Sequence, residues 1–337
     1  MKKNILLLII LLVAGGITWW VVKHNSGSTI VGELSDFAVE DTSSITKIFM
    51  ADKQGHSVIL KKIDANSWTV NDVYNARPDA IALLLQTITQ VEVRSPVGKN
   101  AFNNVLKRIA AKGVKVEIYQ NDKLVKTYYV GGPSQDQLGT FMYIENSSLP
   151  FVTHIPGFNG YLTPRYFTDI FDWRDKRVFT GDTKNISRVI VQSKENLESN
   201  YQIDKINDAN YSVVDLNTKQ TFTPSMDRLS QYLDLFPKVA FEGVAFELTK
   251  STIDSTMEVG WFRKLSVTNN ANKTINVEMF KMAFNERSNQ VLQEGQPIPI
   301  HDRDRFLARI DNDTCFVLAQ YILFDRIFRK AAEFQKQ

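Results

Sequence analysis

The sequence predicts an α+β protein: an N-terminal transmembrane helix, then two diverged copies of a β-rich unit, each made of antiparallel strands with packed helices. Three observations lead there. One charge-free apolar run stands near the N-terminus. Short segments of alternating apolar and polar residues, the signature of half-buried strands, recur through the rest. The order of segments in the first half returns in the second, which is what an internal repeat looks like.

The apolar run reads ILLLIILLVAGGITWWVV from Ile5 to Val22, between Lys2 and Lys3 on one side and Lys23 and His24 on the other. Its length corresponds to about 27 Å of helix, close to the thickness of a hydrocarbon core. Ile5, Leu8 and Leu12 supply the apolar body, and Trp19 and Trp20 suit a membrane interface. A cleaved signal peptide is the alternative, with Ala14-Gly15-Gly16 as its site; the run continues past those residues, which favours an uncleaved anchor. Lys2 and Lys3 favour a cytoplasmic N-terminus. The expected plan is a stub at 1–4, an anchor at 5–22, a linker at 23–44, and units at 45–181 and 182–337.

In the first unit, Ile45–Met50, Ser57–Ile63 and Ser67–Val70 alternate as strands. Arg77-Pro78-Asp79 then opens a helix with Ile81, Leu84, Leu85, Ile88 and Val91 on one face; proline is tolerated there because the first turn lacks acceptors for its N–H. A hairpin follows, Val114–Tyr119 and Leu124–Tyr129 across Asn121-Asp122. Thr140–Ile144 and Pro150–Val152 lead into an aromatic segment. The second unit repeats the series: Ile186–Val191, Asn200–Ile203, Asn210–Val214, a helix from Thr223 with Leu229, Tyr232, Leu233 and Phe236, then Val239–Phe241. A hairpin Lys264–Val267 with Thr274–Phe280 follows, then Phe306–Ile310, Cys315–Leu318 and a C-terminal helix from Gln320 to Phe334.

Composition narrows the function classes. The 337 residues are 43% hydrophobic, 23% charged and 11% aromatic, a globular composition whose 21 Phe and 11 Tyr favour strands. The net charge is +3, from 40 Lys+Arg and 37 Asp+Glu. No basic stripe with interleaved aromatics is present, so no nucleic-acid partner is expected. The single cysteine, Cys315, rules out an intrachain disulfide and a Cys-based zinc site, and its apolar strand pattern suggests an inert buried thiol.

Candidate sites are few. His56, His154 and His301 lie far apart, without the spacing that puts two ligands on one element. Gly131–Asp136 follows a strand but lacks the Lys-Ser/Thr of a phosphate loop, and is expected to be a turn. His301-Asp302-Arg303-Asp304-Arg305 and Asp311-Asn312-Asp313 lack the glycine and terminal glutamate of a calcium loop. No catalytic constellation, cofactor or metal is expected. The aromatic stretch from Phe151 to Phe167, with Trp173 beyond it, is different. Phe158, Tyr161, Arg165, Tyr166 and Trp173 combine rings with a cation, the residue types that anchor protein partners. The competing structural account is that these rings form an interior between the units.

The runs ITKIFMADKQGHSVILKK, ARPDAIALLLQTITQVEVRSPV, YYVGGPSQDQLGTFMYIE and HIPGFNGYLTPRYF, with Trp68, resemble the domain-of-unknown-function 4340 family of envelope proteins, in the version typical of Bacteroidota. The resemblance covers most of the chain after the anchor and is strongest between Ile45 and Trp173. It implies a single-pass or signal-bearing protein with no assigned catalytic residues. In some lineages such proteins are encoded beside an ABC transporter and a component similar to gliding-motility proteins.

The function expected is thus a non-enzymatic envelope scaffold or accessory subunit, anchored in the inner membrane with its soluble module in the periplasm. Its partners would be envelope or inner-membrane proteins. One alternative is a glycan- or peptide-binding module using Trp68, Tyr161, Tyr166 and Trp173 as stacking rings. A third is a hydrolase with a site assembled from His301, Asp302 and Asp304.

Overall fold

The computed structural model describes residues 35–285, 288, 299–311, 313 and 315–335. The expected anchor, with Ile5, Leu8, Leu12, Trp19 and Trp20, lies outside the described residues; among the described ones no helix is long and apolar enough to cross a membrane. The chain divides into two compact units between Asp175 and Lys176.

Unit one opens with strands β1 (Ile45–Ala51), β2 (Ser57–Lys62), β3 (Trp68–Val70) and β4 (Tyr74–Asn75), then helix α1 (Pro78–Gln90) and strand β5 (Glu92–Pro96). Helix α2 (Lys99–Lys112) leads to β6 (Val114–Gln120), β7 (Lys123–Pro133), β8 (Thr140–Ile144) and β9 (Phe151–His154), and a short helix, α3 (Ile170–Trp173), ends the unit. The strands form one antiparallel sheet in the order β4-β3-β2-β1-β6-β7-β8-β9-β5. Alternation decides which side is buried: Ile48 and Met50, Val58 and Leu60, Val116 and Ile118, Tyr128 and Val130 all face the core. Asn121 and Asp122 both adopt positive φ, 48° and 63°, the conformation a two-residue hairpin turn demands and these residues tolerate.

Helix α1 lays Ile81, Leu84 and Ile88 on the core face. Helix α2, absent from the expected elements, covers the opposite face with Val105 and Ile109 against Tyr129, Phe141, Tyr143 and Val152. Gly131 permits this close approach: a Cβ there would lie 2.8 Å from Ile109 Cγ1 and 2.9 Å from the Phe141 carbonyl oxygen.

Unit two has the same order. Its elements are β10 (Ile186–Ser193), β11 (Tyr201–Asn207), β12 (Asn210–Asp215), β13 (Thr221–Phe222), α4 (Met226–Leu233) and β14 (Gly243–Val244). They continue with α5 (Lys250–Val259), β15 (Arg263–Asn269), β16 (Thr274–Ala283), β17 (His301–Ile310), β18 (Val317–Gln320) and α6 (Tyr321–Phe324). The sheet runs β13-β12-β11-β10-β15-β16-β17-β18-β14, element for element the order of unit one.

The likeness extends to irregularities. The β1–β6 ladder slips between Ile45 and Lys47, and the β10–β15 ladder slips between Ile186 and Arg188. At both bulges the extra residue is a hydroxyl side chain donating across the ladder, Thr46 to the Tyr119 carbonyl (a long 3.5 Å) and Ser187 to the Thr268 carbonyl (3.1 Å). The closing contact is shared as well. The N–H of Arg77, just before α1, donates to the Trp173 carbonyl at 2.8 Å, and the N–H of Ser225, just before α4, donates to the Phe334 carbonyl at 2.8 Å. Each unit therefore ends by capping its own first helix.

Several expectations need correction. The stretch 23–44 is not linker throughout, because Phe37 and Val39 are buried in the core and the Val39 N–H bonds to the Ile88 carbonyl at 3.1 Å. Val178 and Phe179 play the same part ahead of β10, with the Val178 N–H on the Val239 carbonyl at 2.9 Å. That lead-in belongs to unit two, so the division falls before the expected 181/182. The segment Gln320–Phe334 is not one helix but α6 and two 3-10 turns, Asp325–Ile327 and Ala331–Phe334. The apolar spacing suits a helix, yet the Ile327 carbonyl is taken by the Tyr201 hydroxyl at 2.8 Å, which diverts it from a helical ladder. The strand expected at Val239–Phe241 lies further on, as β14, and Cys315 is half-buried ahead of β18 rather than within it.

Candidate functional site

The aromatic segment after β9 is a strap across unit one, and it sorts its residues sharply. Tyr166 is 1% exposed and Trp173 fully buried. Burial pushes the Tyr166 phenol up to about 12, and its oxygen accepts a long 3.3 Å bond from Tyr128. Trp173 stacks on Phe167 at 4.1 Å between ring centres and donates its indole N–H to the Phe167 carbonyl at 2.9 Å. These two residues cannot anchor a partner at the surface. They also do not pack between units: both belong to the interior of unit one.

Phe158 and Arg165 are brought together outside. The turn Ile155–Phe158 is closed by the Phe158 N–H on the Ile155 carbonyl at 3.0 Å, and Gly157 and Gly160 hold φ of 77° and 157°. Such angles favour glycine. The Phe158 ring, 37% exposed, folds back over Gly160, whose added Cβ would lie 3.0 Å from it. On the ring sits the Arg165 guanidinium, 4.3 Å from the centroid. Arg165 also donates to Thr87 Oγ1 at 2.9 Å, and that hydroxyl donates to the Leu83 carbonyl at 2.7 Å. Burial lowers the Arg165 pKa from its usual value, and among the described residues no carboxylate pairs with it. The result is a ring and a cation held together in a cation–π contact. Tyr161 is half-buried beside this loop in the chain.

Two further clusters organise structure. At the β1–β2 turn, Asp52 accepts the backbone N–H groups of Gln54 and His56 on Oδ1, and His56 Nδ1 (2.9 Å) and the Thr168 hydroxyl (2.8 Å) approach Oδ2. Burial pushes the carboxyl upward, but the bonds from Thr168 and His56 outweigh it and hold the group down to about 2. Thr168 donates to the carboxylate, and a carboxylate held this low is a weak base toward the hydroxyl. In unit two, Asp302 is 3% exposed and takes the N–H groups of Asp304 and Arg305 at 2.8 Å each and the Ser288 hydroxyl at 2.6 Å. Its oxygens organise the start of β17, while His301 and Asp304 are exposed. Among the described residues no group of three His, Cys, Asp or Glu side chains is gathered for a metal. Gly131–Asp136 is the end of β7 and a turn closed by the Ser134 N–H on the Gly139 carbonyl at 2.8 Å.

Comparison with known families matches residues 68–256 to the family described as Domain of unknown function (DUF4340). That span is more than half of the 337-residue chain. The chain belongs to this family. The DUF4340 match runs from β3 of unit one into α5 of unit two, so one family spans both units and includes the strap that carries Phe158 and Arg165. Comparisons with curated proteins and with solved structures return no match.

Proposed function

We propose that this DUF4340 protein is a non-enzymatic scaffold or accessory subunit of an envelope complex. In this proposal the segment 5–22 holds it in the inner membrane, its two units stand in the periplasm, and the Phe158–Arg165 surface docks a protein partner. The observation that carries it is the fixed, exposed Phe158 ring under a guanidinium with no carboxylate partner among the described residues. Aromatic and arginine side chains are the commonest energetic anchors of interfaces, and preorganisation lowers the entropic cost of using them. The glycan-binding alternative is weakened because three of its four stacking rings, Trp68, Tyr166 and Trp173, are buried. The hydrolase alternative loses its central carboxylate, since Asp302 is engaged by its own strand.

The test places a photo-reactive residue at exposed Asn159 in the full chain and maps adducts formed in cells. The proposal expects a discrete protein adduct that disappears when Phe158→Ala and Arg165→Ala are added. An adduct pattern unaffected by those changes, or recovery of the chain with no adduct, overturns it.

A further inference from the structure

Helix α2 carries Lys99, Lys107, Arg108 and Lys112 and no acidic residue. Beside it lies a cavity of about 540 Å³, with Lys107, Arg108 and Lys112 along one wall, Gly132 to Gln135 along the other, and Phe141 in its lining. Such a volume lies within the range of small-molecule sites. Among the described residues none of the three cations has a carboxylate partner. The acid nearest in the chain to the opposite wall, Asp136, is engaged by the Ser134 hydroxyl at 2.5 Å and by Arg94 at 2.8 Å, so it does not neutralise them.

Around the end of α2 the cavity meets a second one, also about 540 Å³, through the shared residues Ala111 and Lys112. The second is lined by Asp52, Asp169 and Asp172 together with Lys53, His56 and the shared Lys112. An anion is therefore held more strongly on the Lys107–Arg108 side, whose lining has cations and no carboxylate. A guanidinium fork pairs with two oxygens of a carboxylate or a phosphate alike, and the two ammonium groups beside it supply donors for the further oxygens that only a tetrahedral anion has. The half-buried Phe141 ring, with Pro133 beside it in the lining, suits an attached hydrocarbon portion.

We infer that this cavity is a binding site for a phosphate-bearing amphiphile, an anionic phospholipid, with its phosphate on Lys107, Arg108 and Lys112 and its apolar part against Phe141. The site is separate from the Phe158–Arg165 surface, and each stands or falls without the other.

The experiment is native mass spectrometry of the full chain in a neutral detergent, with added phosphatidic acid, chain-matched phosphatidylcholine or glycerol 3-phosphate. The wild-type chain is expected to retain phosphatidic acid in preference to phosphatidylcholine. Lys107→Gln, Arg108→Gln and Lys112→Gln together are expected to reduce that retention by about tenfold or more, since each cation near an anionic lipid contributes appreciably. These residues are exposed, so the fold is retained. Gln135→Glu keeps all three cations and sets an acid in the wall facing them, at an exposed position; it is expected to reduce retention as well. Unchanged phosphatidic acid retention in either variant overturns the assignment. So does equal retention of phosphatidylcholine by the wild type, and so does glycerol 3-phosphate binding as tightly as the lipid.

Discussion

The two units share a ladder order, a bulge and a closing hydrogen bond, yet they treat their outer helices differently. Counting from the pairs Val116–Tyr128 and Leu265–Val277, the position held by Gly131 in unit one is held by Phe280 in unit two. The glycine lets α2 settle on the sheet and bury Val105 and Ile109. Phe280 fills that space, packed edge-on to Phe316 at 5.3 Å, and α5 above it buries no residue fully. Charge diverges too. Helix α2 has four cations and no anion, whereas α5 has Lys250 against Asp254 and Glu258. The inner face of each sheet is constrained by close packing and hydrogen-bond closure. The outer face is not, and that is where one unit acquired a character the other lacks.

The comparison can be broken most forcefully at the closing residues. Trp173→Ala and Phe334→Ala each empty a fully buried site and are expected to cost about 3–5 kcal/mol, read by denaturant unfolding. If the units are equivalent, hydrogen exchange will rise mainly in unit one for the first change and in unit two for the second. Alkaline pH probes the buried tyrosines. An unfolded phenol ionises near 10, whereas burial holds Tyr166 neutral up to about 12. The Tyr166 contribution to stability is then constant below about pH 10 and falls by roughly 2–3 kcal/mol as pH rises to 12. Tyr166→Phe should remove its share of that slope, measured as denaturant midpoints from pH 9 to 12. Burial also raises Tyr128 in unit one and Tyr201 and Tyr232 in unit two, so the buried phenols of both units should resist ionisation in the folded chain, as followed at 295 nm.

Smaller effects sharpen the contrast. Gly131→Ala should destabilise by about 1–3 kcal/mol through its clash with Ile109, and Ile109→Ala in the same chain should recover part of that loss. A double-mutant cycle without coupling would mean the glycine is not the seat of α2. At the shared bulge, Thr46→Val and Ser187→Ala should each cost about 0.5–1.5 kcal/mol. A large difference between them in thermal unfolding would show that the two bulges only look alike.

Much of the fold is legible in the sequence because it rests on periodicity. The alternation in Ile45–Met50 and Ile186–Val191 marks paired strands, and the spacing Ile81, Leu84, Ile88 marks a helix laid on a core. Helix α2 is legible as well, since Phe102, Val105, Leu106 and Ile109 stand at i, i+3, i+4 and i+7, the spacing of an amphipathic helix; what the spacing does not tell is that only Val105 and Ile109 of the four are buried. Lead-in residues such as Phe37 and Val178 stand outside any regular element, so nothing in their neighbours announces their burial. The strap shows the same limit at the site. Phe158 and Tyr166 are both aromatic residues among glycines and prolines, and only the path of the chain decides that one faces out and the other in. Arg165 was expected as a surface cation, but its seat on Phe158 and Thr87 depends on contacts distant in sequence.

The bond from the Trp173 carbonyl to Arg77 bears on how the protein is made. The helix it caps is synthesised long before the tryptophan that completes it, so unit one cannot close until residue 173 has left the ribosome. A nascent chain halted short of that point has strands and α1 in hand, but an open N–H at Arg77 and an indole-sized void. Unit two repeats the arrangement with Phe334, near its own end. Each half therefore carries a completion signal in its last turn, and a truncation of a few residues there should be as damaging as a much larger loss elsewhere.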